Sequence, residues 1–171
     1  MVRELAALAA SLLALTLAGC SFLLDFSDGA IPRDAQPDAP YSQAECDYKE
    51  PNNSLAAAAA ITPTDTGPAA ICPGLPEDHD FYRFTVPAGT TKVLVQISTM
   101  YRMGGDLDLR LYDRTGAMLA RSTGFSDDEV IDCPNPAVMC PALAAGDYVF
   151  EVYPGTARSV NRYTFSVAFT P

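Results

Sequence analysis

Gly104–Asp113 reads GGDLDLRLYD, and the fold turns on how this stretch is read. Two aspartates follow a glycine pair at alternate positions, and a third closes the run. The acids raise the idea of a calcium loop, and the leucines raise the idea of a strand. An EF-hand loop places ligands at its first, third and fifth positions and glycine at its sixth. Here Arg110 stands where the third acid is needed, and the central glycine is missing. Leu107, Leu109 and Leu111 fill one face, while Asp106, Asp108 and Arg110 share the other. That alternation specifies a strand with one buried side. DRTG closes it as a turn, with Asp113 placed to brace the turn through its backbone amides.

The same period of two runs outward from this stretch. DFYRFTV puts Tyr82, Phe84 and Val86 together, and KVLVQIS puts Val93, Val95 and Ile97 together. YVFEVY aligns Tyr148, Phe150 and Val152, and YTFSVAF aligns Tyr163, Phe165, Val167 and Phe169. Weaker strands are expected at Ala70–Cys72, Ala117–Ser122 and Glu129–Asp132. PAGTT, DRTG, AAGD and PGTARSVN supply the turns. Short strands separated by Gly/Pro turns make an all-β antiparallel sandwich of about eight strands. NNSLAAAAAI is the one helix-like piece: Asn53 or Ser54 is placed to cap it, and Pro63 limits it to a turn or two. There is no internal repeat and no sign of a second domain.

The N-terminus carries a different signal. After Arg3, Leu5–Leu17 is an apolar run without charge. It falls short of the roughly 20 residues of a membrane span and has the length of a signal-peptide core. It ends in LAGC, Leu17–Cys20, which resembles the bacterial lipobox. The resemblance implies cleavage before Cys20 and a diacylglycerol on its sulfur. Two or more acyl chains hold a protein on a membrane where one does not. The expected organisation is a lipoprotein signal peptide over 1–19, a lipidated N-terminus and disordered tether over 20–45, and the sandwich over 46–171. The tether's DGAIPRDAQPDAPYSQ holds almost no large apolar side chain and cannot offset chain entropy by burial. FLLDF, Phe22–Phe26, stays open between an interfacial segment and a chance run. The expected location is the bacterial cell envelope. Ser21 after the cysteine does not signal inner-membrane retention, which favours the outer membrane or cell surface.

Four further cysteines remain. Disulfides form in exported proteins, and three connectivities are possible. Cys46–Cys72 with Cys133–Cys140 is the expected set, because both loops are local and nothing crosses. The chain-entropy model assigns roughly 3.5 kcal/mol to the longer loop and roughly 2.5 kcal/mol to the shorter. A zinc site is disfavoured: no CxxC spacing is present, and the single histidine, His79, is not near a cysteine pair.

Of 171 residues, 21 are acidic and 11 basic, a net charge of -10. That charge argues against a nucleic-acid partner. Catalysis finds little support. His79 is flanked by Asp78 and Asp80 at the head of a strand, with no GxSxG or HExxH around it. The expectation is a protein that is not an enzyme.

Five segments, in order, carry a family resemblance. They are EPNNS (Glu50–Ser54), DHDFYRFTVPAGT (Asp78–Thr90), GGDLDLRLYDRTGAMLARST (Gly104–Thr123), LAAGDYVFEVYPG (Leu143–Gly155) and YTFSVAF (Tyr163–Phe169). Together they resemble the bacterial pre-peptidase C-terminal (PPC) domain, related to the collagen-binding domains of collagenases. The resemblance covers about Tyr48 to Thr170. It implies a jelly-roll-like β-sandwich and a non-catalytic accessory module. This chain is expected to depart from the usual context, with no peptidase ahead of the domain, and the cysteines, including CPNPAVMC, lie outside the general pattern. The resemblance also points to Ca²⁺ ligands in EPNN, namely Glu50, Asn52 and Asn53, completed by Glu77, Asp78 and Asp80. The alternative is that Glu50 and Asn52 only brace the entry to the sandwich. Tyr101, Tyr112, Tyr148, Tyr153 and Tyr163 are candidates for a protein or glycan surface, although alternation turns Tyr148 and Tyr163 inward. Two roles follow: an envelope lipoprotein that binds a protein or glycan, or a structural envelope subunit without its own ligand. An exposed aromatic patch on one sheet separates the first from the second.

Overall fold

The computed structural model describes residues 41–74, 77–99, 105–157 and 159–171. All of them lie in one compact unit, Asp38–Pro171. The expected signal peptide, Cys20 and most of the expected tether lie outside the described residues, as does Tyr101.

The described elements are a short helix α1 (Gln43–Cys46) and nine strands: β1 (Ala59–Ala60), β2 (Ala69–Ile71), β3 (Asp80–Val86), β4 (Lys92–Thr99), β5 (Leu107–Asp113), β6 (Met118–Ser122), β7 (Asp128–Cys133), β8 (Gly146–Pro154) and β9 (Asn161–Thr170). They form a five-stranded sheet, β1-β3-β8-β5-β6, and a four-stranded sheet, β2-β9-β4-β7. Every pairing is antiparallel except β1 with β3. The all-β sandwich read from the sequence is the observed fold. The inner faces meet through the alternating side chains: Tyr82, Phe84, Phe150, Leu107, Leu109 and Leu111 from one sheet, Val93, Val95, Ile97, Ile131, Tyr163 and Phe165 from the other. Tyr82 lies 4.7 Å from Phe165 and 5.1 Å from Phe150, centroid to centroid. Each such burial contributes about 1.5–3 kcal/mol.

LDLRLYD, Leu107–Asp113, forms β5 with its leucines fully buried. Asp113 Oδ1 accepts hydrogen bonds from the Thr115 amide (2.8 Å), the Thr115 hydroxyl (2.7 Å) and the Ala117 amide (3.0 Å), which fixes the turn. Gly105 sits at φ +102°, and a Cβ there would stand 2.7 Å from Ser159 Cα. Its carbonyl accepts from Asn161 Nδ2 at 2.9 Å.

Two short elements differ from expectation. Within NNSLAAAAAI only Leu55–Ala57 makes a 3₁₀ turn, and Ala59–Ala60 then joins β3 as a parallel strand. Alanine's helix propensity yields here to the open edge of β3, because pairing supplies backbone partners that an isolated turn lacks. The end of the expected tether is also folded. Ser42 and Glu45 form a capping box around α1, and Glu45 Oε1 pairs with Arg162 Nη2 at 2.6 Å. The structure pairs Cys46 with Cys72 and Cys133 with Cys140, with Cα separations of 5.9 and 5.2 Å. Cys46 ends α1 and Cys72 follows β2, so the first bridge staples α1 to the four-stranded sheet. No described helix is long and apolar enough to cross a membrane.

Candidate functional site

Strand alternation divides the chemistry at the head of β3. Asp80 points to the inner side and is 2% exposed, whereas His79 turns to the outer face of the five-stranded sheet. Two arrangements of polar side chains therefore meet at residues 78–80.

The inner arrangement gathers carboxylates. Glu50, Asp78 and Asp80 each offer an oxygen, all within 4.8 Å of one another. Each also has an oxygen held by a protein donor. Glu50 Oε2 accepts from the Asn52 amide at 2.7 Å and from Asn53 Nδ2 at 3.1 Å. Asp78 Oδ2 accepts from the Cys72 amide at 2.7 Å. Asp80 Oδ2 accepts from the Tyr163 hydroxyl, which also bonds the Tyr82 hydroxyl at 2.8 Å. EPNN itself is tied to β3, because the Phe81 amide donates to the Asn52 carbonyl at 3.0 Å.

Asn52 completes the cluster, fully buried. With its amide nitrogen inward, it donates to Glu50 Oε1 and Asp80 Oδ1, both at 3.0 Å. With its oxygen inward, the same atoms present an all-oxygen donor set, which is what a hard cation requires. Among the described residues no Lys or Arg forms an ion pair with the three acids. Their crowding shows in their proton affinities. Burial drives the Asp80 carboxyl well above the usual range, and Asp78 and Glu50 push it further. Burial also raises Glu50 and Asp78, with the Asp78 charge adding to the rise at Glu50. The residues fit Ca²⁺ in donor type and charge.

Of the six ligands expected from sequence, the structure thus brings Glu50, Asn52, Asp78 and Asp80 together. Asn53 braces instead, with its Oδ1 accepting from the His79 amide at 3.1 Å. Glu77 is exposed and stands 3.8 Å from His79 Nε2, away from the carboxylate group.

The outer arrangement is centred on Glu151, 2% exposed although it faces away from the core. His79 Nδ1 lies 2.6 Å from Glu151 Oε1. The Tyr112 hydroxyl donates to Oε2 at 2.6 Å, and Arg110 Nη1 donates at 3.2 Å. The Arg110 guanidinium sits 3.7 Å from the Tyr153 ring centroid. His79 stacks with both Phe81 and Tyr153. Burial and then the Glu151 carboxylate push the Tyr112 phenol up to about 12, and burial with Asp108 does the same for Tyr153. Among the described residues no Ser, Thr or Cys side chain hydrogen-bonds to His79, so no nucleophile–base pair forms there.

The sequence did not reveal this network. Alternation assigns Arg110, Tyr112 and Glu151 to outer faces, but only the register places them in adjacent rows. Of the candidate surface tyrosines, Tyr112 and Tyr153 belong to it. Tyr163 is core, and half-buried Tyr148 packs against the core and donates to the Ala144 carbonyl at 3.1 Å.

Comparison with known proteins bears on the fold. The pre-peptidase C-terminal domain of a collagenase from Bacillus anthracis aligns with a TM-score of 0.50 at 16% identity, over 64% of this chain and 92% of that one. PliG from Aeromonas hydrophila, a periplasmic inhibitor of g-type lysozyme, aligns with a TM-score of 0.36 at 16% identity, over 61% of this chain and 82% of that one. No curated protein matches. From Asp78 in the carboxylate cluster to Pro154 at the end of β8, residues 78–154 match the family model of the bacterial pre-peptidase C-terminal domain.

Proposed function

We propose that this protein is a non-catalytic envelope lipoprotein, anchored through Cys20, that presents its sandwich as a binding module for a protein or glycan. The observation that carries the reading is the outer face of the five-stranded sheet. Glu151 is buried there beneath His79, Arg110 and Tyr112, with Phe81 and Tyr153 alongside. A fold needs no buried carboxylate on a sheet's outer side, and such a group costs free energy unless fully bonded. Tyr and Arg held in place by a satisfied network are the side chains that interfaces favour. A purely structural subunit has no use for such a face.

Ca²⁺ has a structural place in this reading. It would be held by Glu50, Asn52, Asp78 and Asp80 and would neutralise three crowded carboxylates at the corner where EPNN meets β3. Calorimetry with millimolar Ca²⁺ should give binding heat, and EDTA should lower the melting temperature. Neither effect occurs if the cluster only braces the chain.

The module reading is tested by comparing the wild-type chain with a Phe81→Ser/Tyr112→Phe variant on a column carrying envelope extract. The wild type should retain proteins or glycans that the variant releases. Identical retention by both removes the face as the binding surface. Fractionation tests the anchor: the chain should sediment with membranes, and Cys20→Ser should move it to the soluble fraction.

A further inference from the structure

Charge is not distributed evenly over this acidic chain. Among the described cations, Lys49 pairs with Asp65, Lys92 with Asp132, Arg110 with Glu151 and Arg162 with Glu45. Arg83, Arg114 and Arg121 are exposed and form no ion pair among the described residues. Two of these, with Arg110, share the outer face of the five-stranded sheet. The register lines up Phe81, Glu151, Arg110 and Arg121 across β3, β8, β5 and β6. The neighbouring row carries Arg83, Val149 and Tyr112.

Arg110 and Arg121 are therefore direct cross-strand partners, an arrangement that like charges disfavour. Of the acids on the face, Asp108 feels the charges of both Arg110 and Arg121, so the repulsion is eased from beneath. Glu151 is buried and already accepts three side-chain contacts. Asp108 is buried as well, opposite Tyr153. Around Arg83 and Arg121 the face turns guanidinium outward, with Asp147 as an exposed acid two rows from Arg110, on a chain whose net charge is -10. A planar guanidinium fork matches a carboxylate better than any other common group.

The aromatic rings narrow the class of ligand. A sugar platform needs a free ring face. One face of Tyr153 already carries Arg110, His79 stacks with both Phe81 and Tyr153, and Phe81 and Tyr112 tilt against each other at 6.3 Å. Beside these engaged rings, the exposed arginine side chains are the groups offered to a ligand.

We propose that this face docks an acidic polypeptide segment whose carboxylates are received by Arg83, Arg110 and Arg121. The proposal rests on the reading of the face as a binding surface and names its ligand. The chain's overall negative charge repels polyanions at long range, so binding depends on this local row of arginines and weakens with salt.

The test uses the full chain in a neutral detergent with poly-L-glutamate and, separately, polygalacturonate as probes. Arg83→Ser/Arg121→Ser is the variant, since both side chains are exposed; an unchanged melting curve checks its fold. Poly-L-glutamate should bind the wild type, and the double variant should lose about tenfold or more in affinity. Raising salt from about 0.05 to 0.5 M should weaken the wild type more than the variant. Equal affinity of the two chains for poly-L-glutamate, or no binding by the wild type, overturns the proposal. Polygalacturonate bound by the wild type and lost in the variant, with poly-L-glutamate ignored, overturns the polypeptide but leaves the face as a binding surface. Indifference to both probes, combined with identical extract retention, overturns both readings.

Discussion

At the scale of single residues, Asp80 is the most constrained acid described. It is buried, takes a hydrogen bond from Tyr163, and sits beside Glu50 and Asp78. Asp80→Asn removes the charge and leaves an oxygen for the Tyr163 hydroxyl. In EDTA at neutral pH the variant should melt no lower than the wild type, because the buried charge is gone. It should also lose most of the stabilisation given by Ca²⁺, which for saturation at about a hundred times Kd is about 2.7 kcal/mol. A calcium titration followed by thermal melts reads both effects. Gly105 is constrained differently. Its positive φ and the Ser159 backbone leave no room for a side chain. Gly105→Ala should cost about 1–3 kcal/mol in a urea denaturation. The glycine before the DLDL alternation is thus part of the fold signature, a point the sequence pattern marked without explaining.

At the scale of elements, strands were far more legible than sites. Val, Leu, Phe and Tyr at every second position leave one solution when a single face is buried, and β3, β4, β5, β8 and β9 follow it. Ala59–Ala60 could not be read this way, because two alanines carry no pattern and their pairing depends on β3 being an open edge. Gln43–Cys46 was hidden by the polar, proline-rich run before it, although Ser42 and Glu45 show the capping-box spacing. EPNN and DHD were legible as an acidic pair of segments, and the structure brings four of their side chains together. The Glu151 network was not, since it joins three strands whose relative register no local pattern encodes. The Cys46–Cys72 bridge links these elements. Cys46 lies four residues before Glu50, and the Cys72 amide holds Asp78. Replacing both cysteines with serine should lower stability by roughly 3.5 kcal/mol. It should also weaken Ca²⁺ binding, because two of the acids lose their anchorage. Denaturation and calorimetry on the same preparation separate the two effects.

At the scale of the whole molecule, the raised carboxyls set the response to pH. Folding lifts the pKa of Asp80, Glu50 and Asp78, so the folded state holds these protons more tightly than the unfolded chain. Their contribution to stability is complete below the ordinary carboxyl values and is lost as pH rises through the folded ones. Metal-free protein should therefore melt at higher temperature as pH falls from 7 towards about 4. Saturating Ca²⁺ should flatten that rise, because the cation replaces the protons. Asp65 works in the opposite sense. The Lys49 ammonium holds it down to about 2, so its smaller, solvent-screened contribution is present near neutrality and goes as pH falls below the ordinary value. Melting curves between pH 3 and 8, with and without EDTA, show whether the acidic cluster governs the profile. The staple at Cys46 has a mechanical meaning as well. A pull arriving from the N-terminal side meets α1 first, and a helix of one turn held by hydrogen bonds would peel away under small force. The disulfide instead passes the tension covalently to Cys72, at the end of β2, whose hydrogen bonds run to β9. The load then passes to the β2–β9 pair, and the Cys46–Cys72 loop that holds Glu50 and Asn52 is bypassed.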